Sequence, residues 1–192
     1  VRKLIEKRIE EIKKTGKSSS ERIFEELCFC ILTANFNAER SIEIQKKIGK
    51  GFLNLSEEKL SKKLKFLGHR FPRTRARYIV EARRFKNRLK EIVETLNEEE
   101  LRKWLVRNIR GIGYKEASHF LRNIGFQNFA IIDFHILNIL ERYRMIERPE
   151  SLTRKKYLEI ESLLRKIARR LRISLAELDL YLWYLETGKV LK

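Results

Sequence analysis

The sequence predicts an all-α fold. Apolar residues recur three and four positions apart along most of the chain. Only eight glycines and two prolines interrupt 192 residues, and no segment alternates apolar with polar residues as a half-buried strand does. This spacing places helices over residues 2–15, 21–34, 38–48, 57–67, 73–90, 98–108, 114–124, 134–144, 154–171 and 175–185. The first stops at Gly16 and the Ser18–Ser20 run. Ser20 is placed to cap the second, which aligns Ile23, Phe24, Leu27, Ile31 and Leu32 on one face. Cys28 and Cys30 fall two positions apart in that helix and point in different directions, which suits buried thiols rather than a mutual disulfide. Asn35 can cap 38–48. Pro72 can open the helix over 73–90, where its missing N–H costs nothing. Asn97 with Glu100, and Ser174 with Glu177, have capping-box spacing at the starts of 98–108 and 175–185. Asp133 is placed to cap 134–144.

Charge narrows the partner. Lys and Arg number 44 against 26 Asp and Glu, a net charge of +18 with a pI near 10.1, which attracts polyanions. No apolar run approaches the roughly 20 residues that span a bilayer, and the first residues, Val-Arg-Lys-Leu-Ile-Glu, lack the apolar core of a signal peptide. A cytoplasmic protein facing nucleic acid is expected, with no membrane partner. Two cysteines cannot hold a four-thiolate iron–sulfur cluster, and His69, His119 and His135 lack zinc-ligand spacing. No metal and no cofactor is expected. The 36% content of charged residues, with only two Gln, leans towards a thermophile.

The stretch Asn108–Leu137 carries the chemistry. Helix 98–108 buries Leu101, Trp104, Leu105 and Ile109, then Gly111-Ile112-Gly113 turns the chain, and Lys115 begins a helix burying Ala117, Phe120, Leu121 and Ile124. Two glycines let the backbone take positive φ and approach a ligand. Free N–H groups at the following helix start form a site for one DNA phosphate. This is a helix-hairpin-helix, which grips backbone and reads no base. Lys115 suits an amine nucleophile, because a helix N-terminus in a partly desolvated pocket favours the uncharged form. The chain has only two aspartates, Asp133 and Asp179, against 24 glutamates, and Asp133 follows Ala-Ile-Ile. An anion there can stabilise the positive charge that develops on a deoxyribose as its base departs. An interhelical turn, a solvated lysine and a capping aspartate are the ordinary readings of the same features.

Gly111-Ile-Gly113-Tyr-Lys115 followed by Ile132-Asp133-Phe-His135 resembles the helix-hairpin-helix superfamily of DNA glycosylases, with its glycine–aspartate loop. The lysine at this hairpin position marks its bifunctional members. Ile109-Arg110-Gly111 stands where that superfamily usually has Leu-Pro-Gly, and the missing iron–sulfur cysteines set the chain apart from endonuclease III. Ile31-Leu-Thr-Ala-Asn35, Arg70-Phe71-Pro72 and Trp183…Gly188-Lys-Val-Leu-Lys192 resemble the compact prokaryotic second family of 8-oxoguanine DNA glycosylase/AP lyases along the whole chain.

The resemblance implies two helical lobes flanking a cleft. One is a barrel over 33–126 that includes the helix-hairpin-helix at 98–124, and the other is built from 1–32 plus 127–192. It implies that Lys115 forms a Schiff base with the sugar while Asp133 acts as its anionic partner, and that β-elimination then cuts the strand. By position, Phe71 and Trp183 match aromatics that stack on the extruded base, and Lys192 the determinant of oxidised against normal guanine. Asn35 matches the residue pushed into the duplex, and His135 a backbone contact. His119, one turn after Lys115, lines the cleft or is solvated.

The implied partner is double-stranded DNA containing 8-oxoguanine, bound by a monomer associated with the nucleoid. The basic run His69–Arg84 would neutralise phosphates. Oxidised guanine carries a hydrogen on N7 that guanine lacks, so an acceptor there, from a backbone carbonyl or the terminal carboxylate of Lys192, would discriminate the two. A glycosylase/lyase for oxidised pyrimidines and a non-catalytic helix-hairpin-helix DNA-binding module are the competing readings.

Overall fold

The computed structural model describes all 192 residues, and the fold is all-α. Its helices are α1 (Arg2–Gly16), α2 (Ser20–Thr33), α3 (Ala38–Ile48), α4 (Gly51–Asn54), α5 (Glu57–Phe66), α6 (Pro72–Ala82), α7 (Leu89–Thr95), α8 (Glu98–Asn108), α9 (Tyr114–Asn123), α10 (Phe134–Arg142), α11 (Arg154–Leu171) and α12 (Leu175–Thr187), with a 3-10 turn at Arg83–Phe85. No helix is long and apolar enough to cross a membrane.

Most helix starts use side-chain oxygens. Asn97 accepts from Glu100 N–H at 3.0 Å. Ser174 and Glu177 cap each other's backbone, at 3.1 Å and 2.8 Å, and Pro72 is the first residue of α6. Two caps differ from expectation. Ser19, not Ser20, caps α2 by accepting from Arg22 N–H at 3.3 Å. Asn37, not Asn35, caps α3. Ser20 is freed to join distant backbone instead. Its hydroxyl donates to Lys86 O at 2.6 Å and accepts from Lys90 N–H at 3.2 Å.

That contact explains a second difference. The single helix expected over 73–90 is broken, because the chain is held by Ser20 at the break and because Arg83 Nε donates to Phe52 O at 2.8 Å. The backbone tightens through a 3-10 turn and restarts as α7. The four residues of α4 are too few to show a helical period.

Apolar residues form two main cores and a small third. The largest is a cluster of 27 buried residues running from Ile23 of α2 to Phe129. The second, of 11, joins Ala130 and Ile132 to α10, α11 and α12. Ile5 and Ile9 of α1 pack with Ala176 and Leu180 of α12 in the third. Helix α2, which precedes residue 33, packs in the larger core with the helices that follow it. Ten of its 14 residues are buried, and a helix apolar on every side must be enclosed by others. One-faced α1 lies against α12.

The two main cores meet along a non-helical run, Ala130–Ile132, that is buried and has no strand to pair with. Buried backbone polar groups need partners, and side chains supply them. Glu161 takes Ala130 N–H at 3.2 Å, Asp179 takes Ile131 N–H at 3.2 Å, and the Tyr157 hydroxyl takes Ile132 N–H at 3.4 Å while donating to Ala130 O at 2.6 Å. Each carboxylate is also paired across to the first core: Glu161 with Arg102 of α8, through two bonds of 2.7 and 3.1 Å, and Asp179 with Arg122 of α9 at 2.7 Å.

Replacing Tyr157 by Phe should leave the helical circular-dichroism spectrum unchanged. It should lower the unfolding free energy in guanidinium by about 1–3 kcal/mol, because Ala130 O and Ile132 N–H lose a buried partner.

Candidate active site

The helix-hairpin-helix is α8, the turn Ile109–Gly113, and α9. Gly111 has φ +83, and a Cβ there would run into the Tyr78 ring, so only glycine fits. Gly113 differs from expectation. Its φ of −97 is open to any residue, and its N–H donates to Glu116 Oε2 at 3.1 Å. One amide expected to be free for phosphate is thus already bonded.

Lys115, the second residue of α9, is 29% exposed, and its Nζ lies 3.0 Å from Glu116 Oε1. Asp133 caps α10, its Oδ1 accepting from Ile136 N–H at 3.0 Å. Burial raises the Asp133 carboxyl above the ordinary aspartate range, while the Ile136 N–H and the charges of His135 and Lys115 pull it down. Lys115 and Asp133 both line one cavity of about 600 Å3.

Trp183 of α12 lines that cavity too, edge-on to the His135 ring at 4.6 Å, and its indole N–H is buried without a partner. Asn35 joins the lining just past the end of α2, with φ +56, a left-handed conformation that asparagine tolerates better than most residues. Two side chains hold the carbonyls before it, one from α6 and one from the α5–α6 connection: Arg75 Nη2 donates to Ala34 O at 2.5 Å, and His69 Nε2 lies 3.0 Å from Leu32 O. His69 Nδ1 accepts from Phe71 N–H at 3.0 Å, so Nε2 carries the ring proton. Burial lowers the His69 pKa and keeps the ring neutral.

Phe71 itself is not among the lining residues. Its ring lies against the guanidinium groups of Arg70 and Arg75, at 5.0 and 5.5 Å, and its neighbour Arg70 reaches the cavity instead.

Lys192 is anchored rather than frayed. Its ammonium lies 2.8 and 3.0 Å from the Glu26 carboxylate, bonds Gln45 Oε1, and sits 4.2 Å over the Phe29 ring. Its carbonyl oxygen is 3.3 Å from His119 Nε2. His119 is buried at the cavity wall, and burial with the nearby Arg122 charge holds its pKa well below the usual histidine value.

Sequence reasoning missed four buried polar residues that support this wall: Glu26, Arg122, Asn123 and Asp179. Asn123 Nδ2 donates to Glu26 Oε1 at 2.8 Å, and the Arg122 guanidinium donates to Asn123 Oδ1 at 3.0 and 3.2 Å. Burial pushes the Asp179 carboxyl up to about 6 even beside Arg122, and Asp133 adds to the rise. A signal for Asp179 was present, since it is the second of two aspartates and sits in Leu178-Asp179-Leu180.

A helix-hairpin-helix beside an amine and a carboxylate that share one aromatic-walled cavity defines a helix-hairpin-helix DNA glycosylase. Comparison with known proteins agrees. A family model for 8-oxoguanine DNA glycosylase matches residues 5–173. The 8-oxoguanine DNA glycosylase/AP lyase of Methanocaldococcus jannaschii is 60% identical over 194 residues, covering 100% of this chain and 93% of its own. That of Thermotoga maritima is 48% identical over 189 residues, covering 97% and 91%.

Among solved structures, the Methanocaldococcus jannaschii enzyme in complex with a 15-mer DNA containing 8-oxoguanine superposes with a TM-score of 0.97 at 60% identity, over 100% of this chain and 93% of that one. The Thermotoga maritima enzyme gives 0.94 at 48% identity, over 100% and 92%. This chain belongs to the 8-oxoguanine DNA glycosylase family.

Glu26→Gln removes the charge that neutralises the Lys192 ammonium. Loss of a charge-assisted contact of about 1.5–3 kcal/mol should open the tail at least about tenfold more often. Amide hydrogen exchange over residues 188–192 should quicken accordingly, while the core helices keep their protection.

Proposed function

We propose that this chain excises 8-oxoguanine from duplex DNA and then cleaves the strand as an AP lyase, with Lys115 as the nucleophile and Asp133 as its anionic partner. One observation carries the reading: the Lys115 amine and the Asp133 carboxylate open onto a single cavity walled by Trp183, in a chain 60% identical over its whole length to a glycosylase/AP lyase.

DNA is held first by charge and by the hairpin. A phosphate sits at the first turn of α9, and the basic run from His69 to Arg84 neutralises others. Extruding a base costs a few kcal/mol, and stacking on Trp183 returns about 1–3 kcal/mol. Phe71 covers the other face of the base once its ring leaves the guanidinium groups it now touches. Asn35, already in a left-handed turn at the cavity edge, fills the gap in the duplex, and His135 contacts the backbone. The Lys192 carbonyl region offers an acceptor to the N7 hydrogen that distinguishes 8-oxoguanine from guanine.

Chemistry follows from the two charged groups. The ammonium of Lys115 gives up a proton, with Glu116 Oε1 at 3.0 Å within proton-transfer reach. The free amine bonds to C1′ as the glycosidic bond breaks and its electron pair leaves with the base, which then takes up a proton. Positive charge developing on the sugar faces the Asp133 carboxylate, whose aim is fixed by its bond to Ile136 N–H. Opening of the sugar ring gives the Schiff base, and loss of a C2′ proton expels the 3′ phosphate. The chain acts as a monomer on nucleoid DNA. Its two lobes divide as α2 to α9 against α1 with α10 to α12, and the cavity lies between them.

Lys115→Gln should abolish both base release and the covalent adduct trapped by borohydride on an 8-oxoguanine duplex. An adduct that persists would move the nucleophile elsewhere. Asp133→Asn should slow single-turnover excision by roughly 100-fold or more, as loss of a preorganised electrostatic partner does, with lesion affinity changed only a few-fold. Asp133 works as an anion and burial raises its pKa, so excision is lost as pH falls through that raised value. The acid limb of the wild-type rate profile should therefore lie above pH ~4, the ordinary aspartate midpoint, and Asp133→Asn should flatten it.

A further inference from the structure

Two buried ion pairs join the cores, and only one of them borders the cavity. Arg102–Glu161 and Arg122–Asp179 are built alike. Each links a helix of the hairpin side to a helix of the second core at 2.7 Å, and each carboxylate also receives a backbone N–H of the run that ends at Asp133. Both carboxylates are almost wholly buried, Glu161 at 2% and Asp179 at 7% exposure. Bracing of the run therefore does not distinguish them. Position does: Arg122 and Asp179 line the cavity with Asp133, and Arg102 and Glu161 do not.

Asp179 also has the shorter path to the reacting group. Its Oδ1 bonds the N–H of Ile131, two residues before Asp133, and the two carboxyls are close enough that the charge of Asp133 raises the Asp179 carboxyl. Besides Asp179, the charged and titratable groups lining the cavity are Glu39 of α3, Arg70 before α6, Lys115, His119 and Arg122 from α9, Asp133 and His135 at the start of α10, and Lys192 of the tail. Glu26 and Cys30 of α2 and Arg8 of α1 act on Arg122 from behind. The other carboxylates lining the cavity are Asp133 and Glu39, and Glu39 is paired with Lys189 at 2.6 Å.

We propose that Asp179 is a positioning residue for base excision: held in place by Arg122, it sets through its bond to Ile131 N–H where the Asp133 carboxylate stands in the cavity. This rests on the glycosylase reading above. Substitutions can remove the charge with or without the bond. Asp179→Asn keeps an oxygen for Ile131 N–H and loses the charge. Asp179→Leu combined with Arg122→Met loses both and leaves no unpaired guanidinium, which is the safer way to dismantle a buried pair. Glu161→Leu with Arg102→Met is the matched control on the pair that does not border the cavity.

The experiment measures single-turnover excision from an 8-oxoguanine duplex across pH, with lesion affinity and unfolding free energy measured on the same proteins. The Asp179→Leu/Arg122→Met protein should excise roughly 10- to 100-fold more slowly, the scale expected of a misplaced reacting group. Asp179→Asn should recover most of that loss. In both, lesion affinity should change only a few-fold, because the loss lies in where Asp133 stands and not in how DNA is held. The control should lose stability while excising at close to the wild-type rate. An Asp179→Leu/Arg122→Met protein that excises at the wild-type rate overturns the proposal, as does a control slowed equally, an Asn variant no faster than Leu, or a loss confined to lesion affinity. Wild-type protein that forms no borohydride-trapped adduct would instead overturn the glycosylase reading itself.

Discussion

The structure depends on how three consecutive peptide groups are satisfied. Ala130, Ile131 and Ile132 pass through the interior with neither helix nor strand to bond them, and buried amides left alone are costly. Glu161, Asp179 and Tyr157 take their place as partners. Two of those partners are charged, so each needs a cation at hand, and the cations come from the hairpin helices α8 and α9. One demand of the backbone thus fixes how the second core sits against the first. It also fixes Asp133, the residue at which the run ends, relative to Lys115 at the start of α9.

Charge is distributed on two scales. Over the whole molecule +18 draws in a polyanion from any direction and makes the attraction salt-dependent. Inside, Glu26, Glu161 and Asp179 sit against Lys192, Arg102 and Arg122 in matched pairs. Buried pairs of this kind add little net stability, since desolvation consumes most of the Coulomb gain. What they add is position. Dissolving any one strands its partner in the interior, so the groups stay where they are while long-range attraction does the capturing. Asp133 stands apart from these pairs, bonded through the N–H groups of its own helix start, and the Lys115 amine shares its cavity.

Legibility follows interaction range. Ten helices are readable from apolar spacing because each depends on its own residues, and the caps at Asn97 and Ser174 depend on a residue three positions away. Ser20 departs from its expected place because its partners, Lys86 and Lys90, are 66 and 70 positions along. The break near residue 83 comes from the same pair of contacts. Lys115, Asp133, Trp183, Asn35, His135 and Lys192 are legible from motif and resemblance, and all six line the cavity. Phe71 is legible in the same way, but the sequence does not show that two arginines occupy its ring. Glu26, Arg122 and Asn123 are invisible for a general reason. A charged residue in a helical sequence usually faces water, and only the fold shows that these three face one another.

Those three residues make the cavity wall continuous. From the Lys192 ammonium the bonds run to Glu26, from Glu26 to Asn123, from Asn123 to Arg122, from Arg122 to Asp179 and from Asp179 to the amide of Ile131. Every link after the first joins buried groups, where low dielectric strengthens each bond and raises the cost of breaking it. No member can turn away without leaving the next unsatisfied. The Lys192 tail and the run that ends at Asp133 are therefore tied to one rigid row, although 59 residues separate Lys192 from Asp133 in the chain. A rigid row is what discrimination by a single hydrogen requires. A wall able to yield by a few tenths of an ångström would accept guanine and 8-oxoguanine alike, because their rings differ so little in shape.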